Sequence, residues 1–406
     1  MKLTARRWGT EQLLELPACE DRRVIEAQRI LAELRSMSYI ARPNLFPLII
    51  RKQLTLSLAH GHTPSSPLVL VSYGVLLVIS GDRAGAQRFG EVALALTERA
   101  GFREARPETL FLYLNFIRHW RHPVRDGLVQ IREAITTALN QGDQEYAGFL
   151  ITVLLSQSFW AGSPLSEIDA LARSLIPQIR SQPVPSTLSQ ALHQLCLNLL
   201  GRSEDPMLVA GESGYDEREI VPAARREGDE VTLSVAADVT QGLHFWSGDY
   251  AGAVSVTDEV MQHLAGTTGT TGLQLVHMVS ALSHIHAAPN DRATKKAVRD
   301  SLSLHRKWAA GAPANYAAPC ALVEGSWARA RRRYLEAEQF LDKAIELAEE
   351  HQLPLIAALA HEEAATLYAD TGRTRLHEHM LRTAYQRWLA LVVLLRPASV
   401  ARRYPG

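Results

Sequence analysis

Four histidines in one stretch are the side chains best suited to hold a metal ion. His277, His284 and His286 fall on or near one predicted helix, and His305 follows. Zinc ligands on a helix are usually three or four residues apart, with a third ligand nearby. His277 and His284 are seven apart, and His284 and His286 point to different sides of a helix. We therefore expect no metal site here and interpret these residues as polar groups near a helix interface.

The glycine-rich run Gly266–Gly272 is the nearest candidate for a nucleotide-binding loop. Such a loop ends in Lys-Ser or Lys-Thr, so that backbone N–H groups and an ammonium group meet the phosphates. Here Leu273 and Gln274 follow, and the run contains no lysine. The catalytic-loop, DFG and strand-lysine signatures of protein kinases are also absent. The run is predicted to be a flexible connection, and the chain is predicted to bind and hydrolyse no nucleotide.

His361 is the one candidate phosphoacceptor, because an acidic residue, Glu362, follows it. The rest of a histidine-kinase motif is missing, and a repeat helix already explains this position. No strand–turn–helix context is present for a nucleophilic serine. The sequence therefore predicts a protein that is not an enzyme, with no catalytic residue, no cofactor and no metal.

Composition excludes several partners. The chain of 406 residues carries 43 Lys plus Arg and 43 Asp plus Glu, so a general electrostatic attraction to nucleic acid or to an anionic membrane is not expected. Cys19, Cys196 and Cys320 lie far apart, which fits a reducing compartment better than a disulfide framework. The most apolar stretch, Ser66–Ser80, is too short to span a bilayer. These features predict a cytoplasmic protein.

The elements that carry these residues recur along the chain. Turn signals containing Gly81, Gly162, Gly248, Arg332 and Gly372 are separated by about 41 residues or about twice that distance. Between them the sequence is typical of helix. A fixed period of this length indicates stacked helix pairs, each burying an apolar face that it cannot bury alone. We predict an all-α, right-handed superhelical solenoid of about eight or nine antiparallel helix pairs.

Small residues at set positions suggest how the helices cross. Small side chains three or four residues apart let a neighbouring helix approach closely. With one aromatic residue in the gap between helices, the pattern resembles tetratricopeptide repeats, although the period here is longer. The positions expected to set packing and register are Gly74, Gly81, Ala86, Ala93, Gly325, Tyr334, Ala337, Ala344, Gly372 and Ala384.

The array is expected to cover residues 21–395, after a lead-in at 1–20 and before a basic tail at 396–406. An irregular, polar insert near 202–230 interrupts it. Two interpretations of the insert stay open. It is either a mobile element that docks on a basic surface, or a loop that packs on its own repeat through Met207, Leu208, Val209, Tyr215 and Ile220.

Two groups of residues are candidates for contact with a partner. Trp120, Trp160 and Trp246 each come just before a turn, where a large ring can fill the space between helix pairs. The second group is a set of arginines around one turn, interpreted either as a solvated turn or as a surface for an acidic or phosphate-bearing partner: Arg329, Arg331, Arg332 and Arg333.

Longer strings carry a more specific resemblance. They are Ala41–Ile50, Ser72–Leu77, Phe116–Asp126, Gly142–Phe149, Leu197–Glu217 and Ala384–Trp388. Together they resemble the helical region of large bacterial hybrid signalling proteins. Those proteins combine a serine/threonine kinase-like domain, a signal-transducing ATPase and often a sensor histidine kinase. The resemblance implies a regulatory array and carries over neither the kinase nor the ATPase.

Three hypotheses of function follow. The first is a non-catalytic interaction and regulatory scaffold whose concave face, built mainly by the first helix of each pair, holds a peptide, a partner domain such as an ATPase or kinase module, or an effector. The second is a sensor that binds a small-molecule inducer inside the superhelix. The third hypothesis is that a description of this chain as "ATP-binding" or "kinase" would be transferred from longer relatives, whose other domains have those functions.

Overall fold

The computed structural model describes residues 8–41, 45–264, 268–391 and 393. Within this part the chain is helical, with two isolated β-bridges between single residues. The all-α prediction is confirmed, and successive helices pack against each other along the chain as in a solenoid. None of the described helices is long and apolar enough to cross a bilayer.

The chain forms two compact units. The first comprises Met1–Arg121 and Val129–Leu150, and the second comprises His122–Leu128 and Ile151–Gly406. The first unit contains α1 Thr10–Leu14, α2 Arg22–Ala41, α3 Phe46–His60, α4 Ser66–Ile79, α5 Arg83–Thr97 and α6 Arg106–Leu112, the last continued by a π-helical segment, Tyr113–Ile117, and a 3₁₀ turn, Arg118–Trp120.

Two helices contribute residues to both units, namely α7 Val124–Asn140 and α8 Gln144–Trp160. The second unit continues with α9 Leu165–Leu175, α10 Pro183–Leu199, α11 Glu217–Glu227, α12 Glu230–Trp246, α13 Tyr250–Ser255, α14 Thr257–Gln262, α15 Thr271–Ala287, α16 Arg292–Gly311, α17 Pro313–Ala330, α18 Tyr334–Glu350, α19 Pro354–Asp370 and α20 Thr374–Ala390.

The repeated turn signals are the C-terminal ends of helices. After α4, the Gly81 N–H donates to the Val78 carbonyl (2.9 Å) and the Asp82 N–H to the Leu77 carbonyl (2.8 Å). This bond pair requires a left-handed residue, and Gly81 has φ +85°. Gly162, Gly248 and Gly372 also have left-handed φ values, and Arg332 takes the same conformation with φ 59°. Asp82 then caps α5 by accepting from the Gly85 N–H, which explains the Gly-Asp order.

The first helix of most pairs is buried on nearly all sides. In α4, Val69–Val78 is a continuous buried run, and in α19 the same is true of Leu355–Ala365. The second helices, such as α5 and α18, bury one face and leave the other in water. A helix without an exposed face cannot line an open groove. The predicted concave binding face built by first helices is therefore wrong for α4 and α19.

Small residues lie where helices cross. A Cβ on Gly74 would lie 2.8 Å from the Ile117 side chain, and one on Gly325 would lie 2.7 Å from Leu341 Cγ. The alanines of the predicted register are fully buried, namely Ala86, Ala93, Ala337, Ala344 and Ala384.

Three of the predicted register positions have another role. Gly81 and Gly372 are exposed, and a Cβ there would meet no atom within 4 Å, so these residues supply a left-handed turn and no helix crossing. Tyr334 is half-buried at the first position of α18, so it does not fill an interior gap.

The second unit closes on itself. The Asn315 side chain at the start of α17 accepts from the Val124 N–H (3.0 Å) and donates to the His122 carbonyl (2.9 Å). At the end of the unit, the Leu165 N–H donates to the Leu391 carbonyl (3.1 Å). These bonds join residues that are far apart in sequence, so they tie the beginning of the second unit to its later helices.

Aromatic and tight contacts complete this closure. The Trp246 ring packs edge-on against Trp388, with centroids 6.2 Å apart, and a Cβ on Gly162 would lie 2.5 Å from Pro354 Cγ. Trp388 also donates from its indole nitrogen to Glu362 (3.2 Å). These side chains therefore pack helices of the second unit that are far apart in sequence against one another.

The insert near 202–230 is partly regular. Residues 217–227 form α11, and the irregular parts are 202–216 and the two-residue connection 228–229. The Asn198 side-chain amide of α10 lies within 3.4, 3.0 and 2.8 Å of the carbonyl oxygens of Asp205, Pro206 and Leu208. Val209 and Tyr215 are buried. These contacts favour the interpretation that the loop packs on its own repeat.

The predicted lead-in at 1–20 contains part of the first unit. In the lead-in, α1 buries Leu13 completely, and the Leu13 carbonyl contacts His62 Nε2 at 2.8 Å, so residues 10–14 belong to the first unit. The predicted basic tail 396–406 lies outside the described residues, as do residues 266 and 267 of the glycine-rich run.

Candidate functional site

A cleft of about 330 Å³ lies in the first unit, open to solvent on one side. The second half of α5, the α6 helix with its π-helical extension, and the middle of α7 form its walls. The lining residues are Leu94, Ala95, Glu98, Arg106, Leu110, Tyr113, Leu114, Gln130, Glu133, Ala134 and Thr137.

The floor of the cleft is apolar and rests on the π-helical segment. Leu114 and Ala134 are buried, and Leu94 and Leu110 are half-buried beside them. Single π-helical turns within α-helices are rare and frequently mark functional sites. Here the segment carries Tyr113 and Leu114 into the cleft.

Tyr113 holds its place through a hydrogen bond and burial. Gln87 of α5 donates to its hydroxyl at 2.7 Å. Burial raises the pKa of Tyr113, and the nearby Glu91 adds to the rise. The phenol is therefore protonated at neutral pH and serves as a fixed polar group, without nucleophilic character.

The rim is polar, and most of its polar groups form hydrogen bonds or ion pairs with neighbouring side chains. Arg106 pairs with Glu98 and donates to the Thr97 hydroxyl (3.1 Å). The Arg118 guanidinium donates to the Gln130 side chain (2.9 Å). Glu133 is exposed and makes no ion pair within the described part of the chain. An apolar floor beside a carboxylate that makes no ion pair in the described part of the chain can bind a ligand.

Sequence reasoning missed this cleft for a physical reason. Its residues come from three helices, and each one alone is typical of an ordinary helix surface. The π-helical segment Tyr113–Ile117 has no glycine or proline signal. Only the packing of α5, α6 and α7 brings these residues together.

The three tryptophans predicted as partner contacts are core residues. Trp120, Trp160 and Trp246 are 5%, 2% and 1% exposed. The Arg83 guanidinium lies 4.4 Å above the Trp120 ring, and Phe159 packs against Trp246. The prediction that they contact a partner is wrong, because their rings fill space between helices.

The predicted arginine group is divided by the structure. Arg329 is largely buried and pairs with Asp370 (3.1 Å) and Glu363 (3.6 Å), so it belongs to the interior of the second unit. Arg331 lies over the Trp327 ring, and Arg333 pairs with Glu336 at 2.5 Å. Arg331, Arg332 and Arg333 are exposed at the turn, and Arg329 is not part of that surface.

The histidines lie inside the second unit as structural groups. His286 pairs with Glu363 (2.5 Å) and stacks on Tyr250, with centroids 4.2 Å apart. Burial alone would raise the pKa of Glu363, but His286 and Arg329 hold it well below its usual range. Burial lowers the pKa of His305 to about 4.

No group of three metal-ligating side chains occurs among the residues that the structure describes. His361 is buried, and its Nδ1 atom lies 2.7 Å from the Ala357 carbonyl oxygen. Burial also lowers the pKa of His361. This placement is that of a core residue in α19.

A cluster of charged and polar groups centred on the buried Asp169 and His193 anchors the insert. Asp169 of α9 contacts His193 of α10 (2.7 Å), Arg173 (2.8 Å) and Arg202 (2.7 Å). Burial would raise the pKa of Asp169, but the His193 hydrogen bond and the Arg173 charge lower it. Arg173 also pairs with Glu212 of the loop, so the cluster holds the loop against α9 and α10.

Comparison with known proteins gives no assignment. No family model matches the chain, and no curated protein matches it. Among solved structures, the TPR domain of P58(IPK) is 13% identical and covers 92% of this chain and 97% of its own, with a TM-score of 0.22. A circular tandem repeat protein with novel repeat topology is 14% identical and covers 95% and 99%, with a TM-score of 0.21.

Proposed function

We propose that this protein is a non-catalytic interaction and regulatory scaffold, and that it binds a segment of a protein partner in the cleft of the first unit. The observation that carries this proposal is the cleft itself, with its apolar floor on the π-helical segment and its polar rim. A partner side chain placed there would cover the half-buried Leu94 and Leu110, whose remaining apolar surface is in contact with water, and this favours association.

The cleft is a better site than the inner faces of the helices. In the second unit the first helices are buried by contacts such as Trp246 with Trp388 and His286 with Glu363. Opening them would cost the burial that holds the unit together. The cleft needs no such rearrangement, so binding there loses less conformational entropy.

The size and openness of the cleft favour a segment of a larger partner. A volume of about 330 Å³ is at the small end of pockets that enclose small molecules. One or two large side chains fill such a space, while the rest of the partner lies across the rim.

The resemblance to bacterial signalling proteins supports a narrower form of the proposal. Phe116–Asp126, one of the strings that carries it, begins within the π-helical segment. We propose that the scaffold works in such a signalling system in the cytoplasm and that an ATPase or kinase module supplies the partner segment. On this proposal, an ATP-binding or kinase label would describe longer relatives and not this chain.

A small-molecule effector is the second candidate. The cleft volume is still within the range of ligand pockets, and the exposed Glu133 on the rim offers a polar contact. This candidate predicts that a compound without a peptide backbone saturates the cleft and competes with peptide binding.

The test uses peptides of helix length selected from a random display library on the full chain. Thr137 lines the cleft, whereas Thr136 beside it is exposed and outside it, and both hydroxyls bond to the carbonyl four residues earlier. Thr137→Trp should fill the cleft and abolish binding of the selected peptides, and Thr136→Trp should leave their affinity unchanged. Peptides that bind Thr137→Trp as tightly as the wild-type chain would overturn the proposal.

A further inference from the structure

Resting on the proposed site, we propose that Glu133 gives the cleft its specificity: the partner segment carries a lysine or arginine that pairs with Glu133, beside an apolar side chain on the floor.

Glu133 occupies the centre of the α7 wall. Gln130 lies one turn before it and Thr137 one turn after it, so all three are on one face of the helix, and all three line the cleft. The Thr137 hydroxyl donates to the Glu133 backbone carbonyl (2.9 Å), and the Glu133 residue itself is exposed to solvent.

The other charges at the cleft are already engaged. Glu98 is held by Arg106, and Arg106 is held in addition by the Thr97 hydroxyl. Arg118, behind Gln130, is buried and bonds to the Gln130 side chain. Glu133 is the lining carboxylate without an ion pair in the described part of the chain, so the unmet charge of the cleft is negative.

The position beside an apolar floor makes this charge selective. When a partner covers the cleft, the carboxylate loses water, and an opposite charge at contact distance then interacts more strongly than in bulk solvent. A partner with an acidic or apolar group at that position would leave Glu133 buried and unpaired, which is strongly unfavourable.

The experiment measures the affinity of a library-selected peptide for the wild-type chain, for Glu133→Gln and for Asp126→Asn. Asp126 is an exposed carboxylate on the same helix, outside the cleft, and serves as the matched control. We expect selected peptides to be enriched in lysine or arginine, and Glu133→Gln to weaken binding roughly tenfold, with Asp126→Asn neutral. Replacing the cationic residue of the peptide by glutamine should weaken its binding to the wild-type chain by the same factor. The same peptide change should cause no further loss of affinity for the Glu133→Gln variant.

The outcomes separate this inference from the proposal on which it rests. If Thr137→Trp abolishes binding but Glu133→Gln does not weaken it, the cleft is the site and the inference about Glu133 is overturned. Selected peptides without a cation would overturn it as well. If Thr137→Trp has no effect, the proposed function itself fails. Because Glu133 is exposed, the substitution is expected to leave the circular dichroism spectrum unchanged.

Discussion

At the scale of single residues, backbone conformation decides where the helices end. Glycines such as Gly81 and Gly372 adopt a left-handed φ at these ends, but Arg332 takes the same conformation with φ 59°, and Gln352 does so with φ 53°. A side chain with a Cβ is strained there, because the Cβ approaches the following carbonyl oxygen. These two positions therefore store strain that a glycine would remove.

We predict that Arg332→Gly stabilises the chain by roughly 0.5–1 kcal/mol, because the relief of left-handed strain exceeds the extra entropy of glycine in the unfolded chain. Gly372→Ala, at φ 71°, should destabilise the chain, because it places a Cβ in the left-handed region. Denaturation in urea measures both. A destabilised Arg332→Gly variant would show that the arginine side chain matters more to the fold than its backbone conformation.

The buried His305 should make stability depend on pH. Its pKa is about 4 in the folded chain, because burial disfavours the charged ring, against 6.5 when exposed. Between these values the unfolded chain binds a proton that the folded chain does not. The free energy of unfolding should therefore fall by up to about 3 kcal/mol as pH decreases from 6.5 towards 4. Above pH 6.5 the ring is neutral in both states, and this loss of stability should be absent.

His305→Gln is expected to flatten this part of the curve, although other buried histidines such as His277 keep some of the slope. His60→Gln, at an exposed position, is the control and should leave the slope unchanged. Urea melts at a series of pH values give the slope. An equal slope in His305→Gln and the wild-type chain would contradict the assignment.

At the scale of elements, small residues at crossings set the distance between helices. Ala344 of α18 is fully buried, and Leu341 one turn earlier lies against Gly325 of α17. This part of the array could be predicted from sequence, because close crossings require small side chains at helical spacing. The turns could be predicted as well, since a left-handed end favours glycine.

We predict that Ala344→Phe overpacks this crossing and costs roughly 1–3 kcal/mol. Lys343→Phe, exposed on the same helix, should cost much less. Equal melting curves for the two variants would mean that Ala344 is not enclosed between helices.

The loop at 202–216 depends on the Asn198 side chain. We predict that Asn198→Ala speeds amide exchange in residues 203–217 and costs about 1–3 kcal/mol, because the loop carbonyls lose their donor. In the wild-type chain the Val209 and Glu217 amides should be protected from exchange. The Val209 N–H donates to the Glu217 carboxylate, and the Glu217 N–H donates to the Val209 carbonyl. Asn140→Ala, at an exposed helix end, is the control. Fast exchange at 209 and 217 in the wild-type chain would restore the mobile interpretation.

At the scale of the whole molecule, sequence predicted the helices and turns but not which surfaces stay open. The tryptophans before the turns are evident in the sequence as large rings at regular places. Whether they face a partner or a neighbouring helix depends on contacts such as Trp246 with Trp388, between residues more than a hundred positions apart. The cleft depends likewise on three helices and on a π-helical turn that has no sequence signal.

The most direct test of the account is hydrogen exchange of the full chain with and without a selected peptide. Binding in the cleft should give new protection at residues 94–98, 106–114 and 130–137, the segments that carry the lining residues, and no change in α15, α17 and α19. Protection confined to α15, α17 and α19, with the cleft residues unchanged, would contradict it and place the partner inside the second unit.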